Sequence, residues 1–394
     1  MLIAVLPTKP LREDEHVRYA RHHSLPLVGV EGQRHLKRAR VLIVGAGGLG
    51  SPLALYLAAA GIGRIGLVDF DRVDASNLQR QVLYDTADIG RPKSEAAAAR
   101  LRALNPHVEV VEHAVAFSPA NAIDLVRAYD IVADGSDNFA TRYLLNDACV
   151  LAGIPYVYGS VLRFEGQVSV FAVPGGPNVR DLYPEPPVDA LTCGEAGVLG
   201  VLPGLIGSLQ ATEVLKWILG IGDLLAGRVL LVDALTMQFR SFTLDPDPDN
   251  PVSGRSPLIR TVGDSVAFTQ AQGCALSISS PSAPMSQVPE ITVEEYNAMR
   301  EGDSPPFLLD VRRLDEVDIA EIGGTLIPLD QLPSRLDELE DHRDDPVIVV
   351  HCRSGGRSAQ ATAFLHQHGY TNAVNLAGGI LAWSDRIDPS VQKY

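Results

Sequence analysis

The sequence predicts an α/β protein of two domains, a larger one with a mostly parallel sheet between helical layers and a smaller α/β unit behind it. Three observations carry this. Apolar strand-like runs alternate with helical patterns from residue 40 onward, the pattern of a parallel sheet covered on both faces. Composition shifts near residue 245 and again at a small, Pro/Ser-rich stretch. A length of 394 residues, at roughly 150 per domain, allows two domains or three.

The elements follow in order. Residues 11–40 are polar and helical in character, with Arg12, Arg18, Arg21 and Arg38. ARVLIV is a strand, GAGGLG a turn, SPLALYLAAAGI a helix and RIGLVDFD a second strand. Further strands are expected at 108–112, 130–134 and 155–159, with helices at 92–104 and 119–129. GQVSVFAV and RVLLVDALTMQFRSFTL read as longer strands that extend the sheet, with a helix at 203–219 between them. The apolar run Ala196 to Gly222 carries Gln210, Glu213 and Lys216, so it reads as a buried core helix and not a membrane span. DPDPDNP is turn-rich, and 272–289 reads as a flexible linker. The expected domains are therefore 11–271 and 290–394. Strands of the second are PFLLDV, TLIPL, PVIVVHC and NAVNLAGG.

Charge and cysteine usage exclude several function classes. Lys plus Arg number 33 against 48 Asp plus Glu, a net charge of −15. Such a chain has no electrostatic footprint for nucleic acid or an anionic membrane. The opening MLIAVLP is too short an apolar run for a signal peptide, which makes the cytoplasm the expected location. Cys149, Cys193, Cys274 and Cys352 form no C-x-x-C, which excludes a disulfide framework and a four-thiolate zinc site.

Gly45, Gly47, Gly48 and Gly50 sit between a strand and a helix, and Asp69 ends the next strand. This is the Rossmann-like arrangement for an adenine nucleotide: the backbone approaches the ligand closely, the helix N-terminus favours negative charge, and the acid accepts from ribose hydroxyls. The residues after Asp69 separate ATP from NAD. Asp71, Asp74, Asn77, Gln79 and Arg80 crowd one loop, Lys93 comes soon after, and Asp137 and Asn138 end a later strand. Arg80 and Lys93 suit a triphosphate and Asp137 suits Mg²⁺, a cation and acid set that NAD does not need.

These motifs, with GRPKSEAA, DGSDNFATRYLLNDAC, FEGQVSVF, DLYPEPP and LTCGEAGVLG in order, resemble the ubiquitin-activating-enzyme-like (ThiF/MoeB-like) adenylyltransferases over roughly residues 11–265. The nearest resemblance is to the sulfur-carrier activators of molybdopterin and thiamine synthesis. It implies ATP–Mg-dependent adenylation of the C-terminal glycine of a small ubiquitin-like carrier ending in Gly-Gly. The implied nucleotide residues are Gly48, Asp69, Ser76, Asn77, Leu78, Gln79, Arg80, Lys93, Asp137 and Asn138. Arg21 matches an arginine that reaches into a partner protomer's site, which implies a homodimer. The family's two C-x-x-C zinc pairs fall here on Asn178 and Asp181, and on Asn250 and Ser253. Asn, Asp and Ser make a poor zinc set, so no zinc is expected. Cys193 matches a crossover-loop cysteine assigned a covalent role, although a plain loop residue remains an alternative reading. Cys149 reads as core packing and Cys274 as incidental.

Cys352 ends the strand PVIVV and opens a glycine loop and helix, with Arg353 and Arg357 beside it. Backbone N–H groups and a helix N-terminus favour a thiolate there and cradle an anionic persulfide. Residues 290–394 resemble the rhodanese domain, LLDVR and LAGGILAW included, and the Cys-x4-Arg spacing fits a persulfide loop. The expected reaction is adenylation, attack by the Cys352 persulfide, then resolution by Cys193 or an external thiol. Thiosulfate or a cysteine desulfurase would supply the sulfur. A linker of about 17 residues spans about 23 Å as a random coil and about 56 Å extended. A nicotinamide oxidoreductase and a non-catalytic scaffold for carrier and sulfur donor are the alternatives.

Overall fold

The computed structural model describes residues 10–185, 197–271, 288–302, 305–329 and 331–393. The chain divides into two compact units, Met1–Ser280 and Pro281–Tyr394. Cys193, Cys274 and most of the expected linker lie outside the described residues.

The first unit is one eight-stranded sheet in the order β3-β2-β1-β4-β5-β6-β7-β8. Its strands are β1 (Arg40–Val44), β2 (Arg64–Val68), β3 (Glu109–His113), β4 (Ile131–Asp134), β5 (Tyr156–Leu162), β6 (Glu165–Phe171), β7 (Arg228–Asp233) and β8 (Gln238–Thr243). From β3 to β5 the pairing is parallel, and from β5 to β8 it is antiparallel. The helices are α1 (Glu13–Arg18), α2 (Ala20–His23), α3 (Gly29–Arg38), α4 (Gly50–Ala60), α5 (Lys93–Leu104), α6 (Ala122–Arg127), α7 (Phe139–Ala152), α8 (Val179–Leu182), α9 (Val201–Leu219) and α10 (Val262–Ala271).

Strand alternation sorts the core. Val41 and Ile43 of β1 face α4, α5 and α9, while Leu42 and Val44 face α6 and α7. All four are at most 3% exposed. Each such side chain contributes about 1.5–3 kcal/mol by burial. Two layers of helices therefore hold the parallel strands, and their carboxyl ends come out together at one edge.

The run 228–244, read as one strand, is a hairpin. Asp233 breaks it, accepting from the backbone N–H of Leu235 and Thr236 at 2.9 and 3.3 Å and from Thr236 Oγ1 at 2.7 Å. This local side-chain turn stops the strand within an otherwise β-favouring sequence. The hairpin extends the sheet, as expected. The 203–219 helix starts at Val201, and the expected 119–129 helix contracts to α6. Among the described residues no helix is long and apolar enough to cross a membrane.

The second unit has a five-stranded, all-parallel sheet in the order β11-β10-β12-β13-β9. Its strands are β9 (Glu290–Ile291), β10 (Phe307–Asp310), β11 (Thr325–Leu326), β12 (Ile348–His351) and β13 (Ala373–Leu376). Its helices are α11 (Val293–Arg300), α12 (Leu314–Val317), α13 (Gly356–Gln367) and α14 (Gly379–Arg386). The two-residue β9 is too short to have left a pattern in the sequence.

One buried ion pair ties α7, α8 and α10 beneath the antiparallel end. Arg180 donates to both oxygens of Asp147 at 2.7–3.1 Å, both side chains are fully buried, and Ser265 Oγ of α10 donates to Asp147 at 2.6 Å. Removing one partner leaves a buried charge, so Asp147→Ala should destabilise the first unit by about 3–5 kcal/mol. Urea denaturation followed by Trp217 fluorescence in a Trp383→Phe background measures it.

Candidate functional site

The carboxyl ends of β1 and β4 form the switch point of the sheet, where a ligand crevice opens. Backbone contact closes its floor. A Cβ on Gly135 would lie 2.1 Å from the Gly45 carbonyl oxygen, and one on Gly50 would lie 2.0 Å from the same atom. Gly45 itself has φ +92°, a backbone that side chains disfavour. The Gly45 and Gly135 N–H groups donate to Val68 and Val44 at 2.8 and 2.7 Å, so each loop leaves its strand without fraying.

Asp69 holds the glycine loop. Its two carboxylate oxygens accept from the N–H groups of Ala46 and Asp71 at 2.8 and 2.9 Å. Burial pushes its pKa up against the opposing pull of Lys93 and these two N–H groups. Tyr84 donates to the Ala46 carbonyl at 2.8 Å from below. Pro203 of α9 backs Gly48, and the Arg80 stem lies beside the same glycine.

The expected cations sit on this floor. Lys93 opens α5 and donates to Asp71 at 3.0 Å. Its side chain is 7% exposed, whereas Asp71 is 53% exposed. Arg80 donates to Asn77 Oδ1 at 2.8 Å and to the Ser76 carbonyl at 3.3 Å. Asp74 shapes that loop by accepting from Ser76 at 2.8 Å. Gln79 presses on Gly200, where a Cβ would meet its carbonyl at 2.4 Å. Leu78 is half-buried and Ser76 exposed. Asp137 is exposed at the mouth of the β4 loop, and Asn138 caps α7 by accepting from Thr141 N at 2.8 Å. Arg21 is exposed on α2, which packs on α3.

The support under Asp137 was missed from the sequence. Fully buried Asp134 accepts from Ser136 N, Tyr156 OH and Arg142 Nε at 2.8, 2.5 and 3.2 Å. Arg142 also donates to the Ser136 and Gly159 carbonyls at 3.3 Å. The only trace of this in the sequence is an Arg and an Asp eight residues apart around a turn.

The four positions aligned with zinc ligands do meet. Asn178 Nδ2 donates to Ser253 Oγ at 2.8 Å, Asn250 Nδ2 to Asp181 Oδ1 at 2.8 Å, and Asn178 N to Asp181 Oδ2 at 2.7 Å. Asn250 Oδ1 accepts from Val252 N and Ser253 N at 3.0 and 3.1 Å. These groups satisfy one another.

In the second unit, β12 delivers Cys352 into the loop before α13. The residue is 1% exposed. Its Sγ accepts from Gly355 N at 3.2 Å and Ser358 Oγ at 3.3 Å. Gly355 turns the loop with φ +96°. The LAGG segment is its counterpart: a Cβ on Gly379 would lie 2.3 Å from the Cys352 carbonyl oxygen, which accepts from Ile380 N at 2.9 Å. His351 is buried beside Asp310 and Arg312, and burial depresses its pKa to about 4, so it is neutral near pH 7. Arg357 donates twice to Glu316, at 2.6 Å each. Cys149 is fully buried core in α7, and burial pushes its thiol pKa up.

Two outcomes test this geometry. Burial opposes ionisation of Glu316, but Arg357 and the Arg313 N–H overcome it and bring the pKa down to about 2 from 4.5. Its contribution to stability is full above pH 4.5 and lost as pH falls toward 2. Melting temperatures of wild type and Glu316→Gln should therefore differ near neutrality and converge at pH 2. In the first unit, Asn250→Ala takes the acceptor from the buried Val252 N–H and from the Ser253 N–H and should cost about 1–3 kcal/mol in urea titrations, whereas EDTA leaves wild type unchanged.

Comparison with known proteins agrees with this architecture. The ThiF family matches residues 19–252 and the rhodanese-like domain matches 292–386. The "Probable adenylyltransferase/sulfurtransferase MoeZ" of Mycobacterium tuberculosis is 44% identical over 396 residues, 99% of this chain and 98% of that protein. "Adenylyltransferase and sulfurtransferase MOCS3" of Sus scrofa is 42% identical over 422 residues, 100% of this chain and 91% of that protein. The crystal structure of E. coli MccB shares the fold with a TM-score of 0.54 at 23% identity, over 63% of this chain and 75% of that one. The oxidoreductase and scaffold alternatives give way. The chain belongs to the ThiF family, as an adenylyltransferase that carries a sulfurtransferase domain of the rhodanese type behind it.

Proposed function

We propose that the protein adenylates the C-terminal glycine of a small ubiquitin-like carrier ending in Gly-Gly and then converts it to a thiocarboxylate with sulfur held on Cys352. The observation that carries the first half is the convergence of the Gly45 loop, Arg80, Lys93 and the Asp137 loop at one edge of the sheet. The relatives named adenylyltransferase and sulfurtransferase support the pairing of the two halves.

In this reading Gly45, Gly47 and Gly48 let the nucleotide lie against backbone, and Asp69 shares its carboxylate with the ribose. Ser76, Asn77, Leu78, Gln79 and Asn138 line the site. Lys93 exchanges exposed Asp71 for phosphate oxygens, and Arg80 exchanges Asn77 for them. Asp137 would hold Mg²⁺ arriving with ATP, which would neutralise phosphate charge. Arg21 reaches the site of a second protomer, so the active form is a homodimer. The carrier carboxylate attacks the α-phosphate, and pyrophosphate leaves. Arg80, Lys93 and Arg21 stabilise the charge that builds on phosphate oxygens, without a covalent step on the enzyme.

Sulfur transfer takes place on the second unit. Thiosulfate or a cysteine desulfurase charges Cys352 as a persulfide, whose terminal sulfur attacks the acyl-adenylate and expels AMP. A thiolate from Cys193 or an external thiol then attacks Cys352 Sγ, which releases the carrier thiocarboxylate and leaves a disulfide for an external thiol to reduce. No zinc takes part in this scheme, and the reaction runs in the cytoplasm.

ATP–pyrophosphate exchange with a panel of Gly-Gly-ending carriers tests the scheme. Exchange should appear with at least one carrier, and Asp137→Ala should reduce it by about 100-fold or more while carrier binding persists. Cys352→Ala should retain exchange and yield no thiocarboxylate by mass spectrometry. Absence of exchange with every carrier, despite ATP binding, would remove the first step.

A further inference from the structure

A cation that follows the Cys352 loop is already occupied. Arg357 lies in the first turn of α13, and its two terminal nitrogens each donate to one oxygen of Glu316 at 2.6 Å. A guanidinium fork matched to a carboxylate is one of the stronger charge-assisted pairs, and the same fork is what a tetrahedral oxyanion would take.

Glu316 is not a loose surface counter-ion. Its side chain is 8% exposed against 24% for Arg357. It belongs to the short helix α12, where it also accepts from Arg313 N at 3.1 Å. Arg312 fixes that segment: its buried guanidinium pairs with Asp310 at the end of β10 and donates to the Ala320 carbonyl at 2.8 Å and the Glu316 carbonyl at 3.4 Å. The carboxylate is therefore held in place by the sheet, and Arg357 comes to it. Meanwhile Cys352 Sγ takes its own donors from Gly355 N and Ser358 Oγ, neither of which carries charge.

Resting on the assignment of Cys352 as the sulfur-carrying residue, we propose that Glu316 is a specificity-determining residue of the Cys352 loop: it occupies the Arg357 fork and thereby keeps dianionic oxyanions from binding tightly over the cysteine. Gly355 N and Ser358 Oγ then recognise the singly charged sulfur of a persulfide. The surrounding acidity acts in the same direction, since residues 290–394 carry 19 Asp and Glu against 9 Lys and Arg.

The test uses the full chain, with thiosulfate as sulfur donor and cyanide as acceptor, and inorganic phosphate as the non-reacting dianion. In this assay Cys352 thiolate takes the outer sulfur of thiosulfate and releases sulfite, and cyanide then takes that sulfur as thiocyanate and restores the thiolate. Phosphate is also titrated as a protector of Cys352 against iodoacetamide, read by peptide mass spectrometry, which needs no turnover. Glu316→Gln keeps the shape and removes the charge. It should lower the thiosulfate KM and the protecting phosphate concentration by tenfold or more, with kcat changed much less. Adding Arg357→Gln to that variant should reverse the gain, a response that a purely structural role for Glu316 does not produce. Unaltered KM and protection in Glu316→Gln overturn the proposal. If the single variant does not fold, the double variant still decides: phosphate protection that falls tenfold or more below wild type means Arg357 acts on the anion despite Glu316, and the proposal is overturned, whereas protection near the wild-type value supports it. Thiocyanate formation that survives Cys352→Ala would instead remove the underlying assignment of Cys352.

Discussion

The contact on which the adenylation site depends is between two pieces of backbone. Gly45 follows β1 and Gly135 follows β4, and neither can carry a Cβ because the other lies against it. Gly50, one helical turn on, closes on the same carbonyl. Adjacent parallel strands lie about 4.8 Å apart, so loops leaving them at one height must either diverge or touch. Here they touch, and only glycine permits it. The contact fixes the glycine loop relative to Asp137, and the Asp134–Arg142 network beneath then fixes how the second loop leaves β4. Arg80 and Lys93 are added to a floor that is already rigid.

The second unit solves a related problem by the same means and reaches a different electrostatic state. Cys352 also follows a parallel strand, its loop also turns through a positive-φ glycine into a helix, and a glycine beyond the neighbouring strand, Gly379 at the start of α14, again touches the Cys352 carbonyl. The cations differ. Lys93 is paired with an exposed carboxylate that solvent can take over, whereas Arg357 is paired with a carboxylate that is nearly buried and anchored through Arg312. A single contact to an exposed carboxylate exchanges at smaller cost than a bidentate contact to a buried one. The first arrangement leaves its charge open to exchange. The second keeps it local.

Much of this was legible in the sequence because it is written in short-range patterns. The glycine turn after β1, the acid at the end of β2, and the cysteine loop before α13 are each contiguous, and strand–helix alternation gave the parallel part of the sheet. What escaped is non-local or set by one side chain. Asp233 cuts 228–244 into a hairpin with a single Asx-type turn. Tyr84, Asp134, Arg142 and Ser358 act through contacts that no periodicity encodes. Glu316 lies 41 residues from Arg357, and nothing in a helix-like LDEV marks it as the partner of a loop in another part of the sheet. LAGG was readable as a motif, but its reason, room for the Cys352 carbonyl, is visible only in three dimensions.

At the antiparallel end of the first sheet, hydrogen bonds join the four side chains that align with zinc ligands. A structural zinc contributes on the order of 10–16 kcal/mol in small domains, while a net hydrogen bond contributes about 1 kcal/mol. The mutual bonds among Asn178, Asp181, Asn250 and Ser253 cannot match a metal on that scale. Their neighbours add further contacts. Asn178 caps α8, whose one turn carries Arg180, with a buried guanidinium that reaches Asp147 of α7 and Thr269 of α10 and stacks over Tyr143 and Phe268. The segment is thus held from two sides, by a polar knot at its start and by a desolvated ion pair under α10. Asp147 is nearly saturated by Arg180, Ser265 and Asn146, which makes the pair tolerable without water. Such a network needs every member in place, because each lost donor leaves a buried acceptor behind. The sheet edge therefore depends on α10, the last helix of the first unit among the described residues, in a way that a self-contained metal site would not.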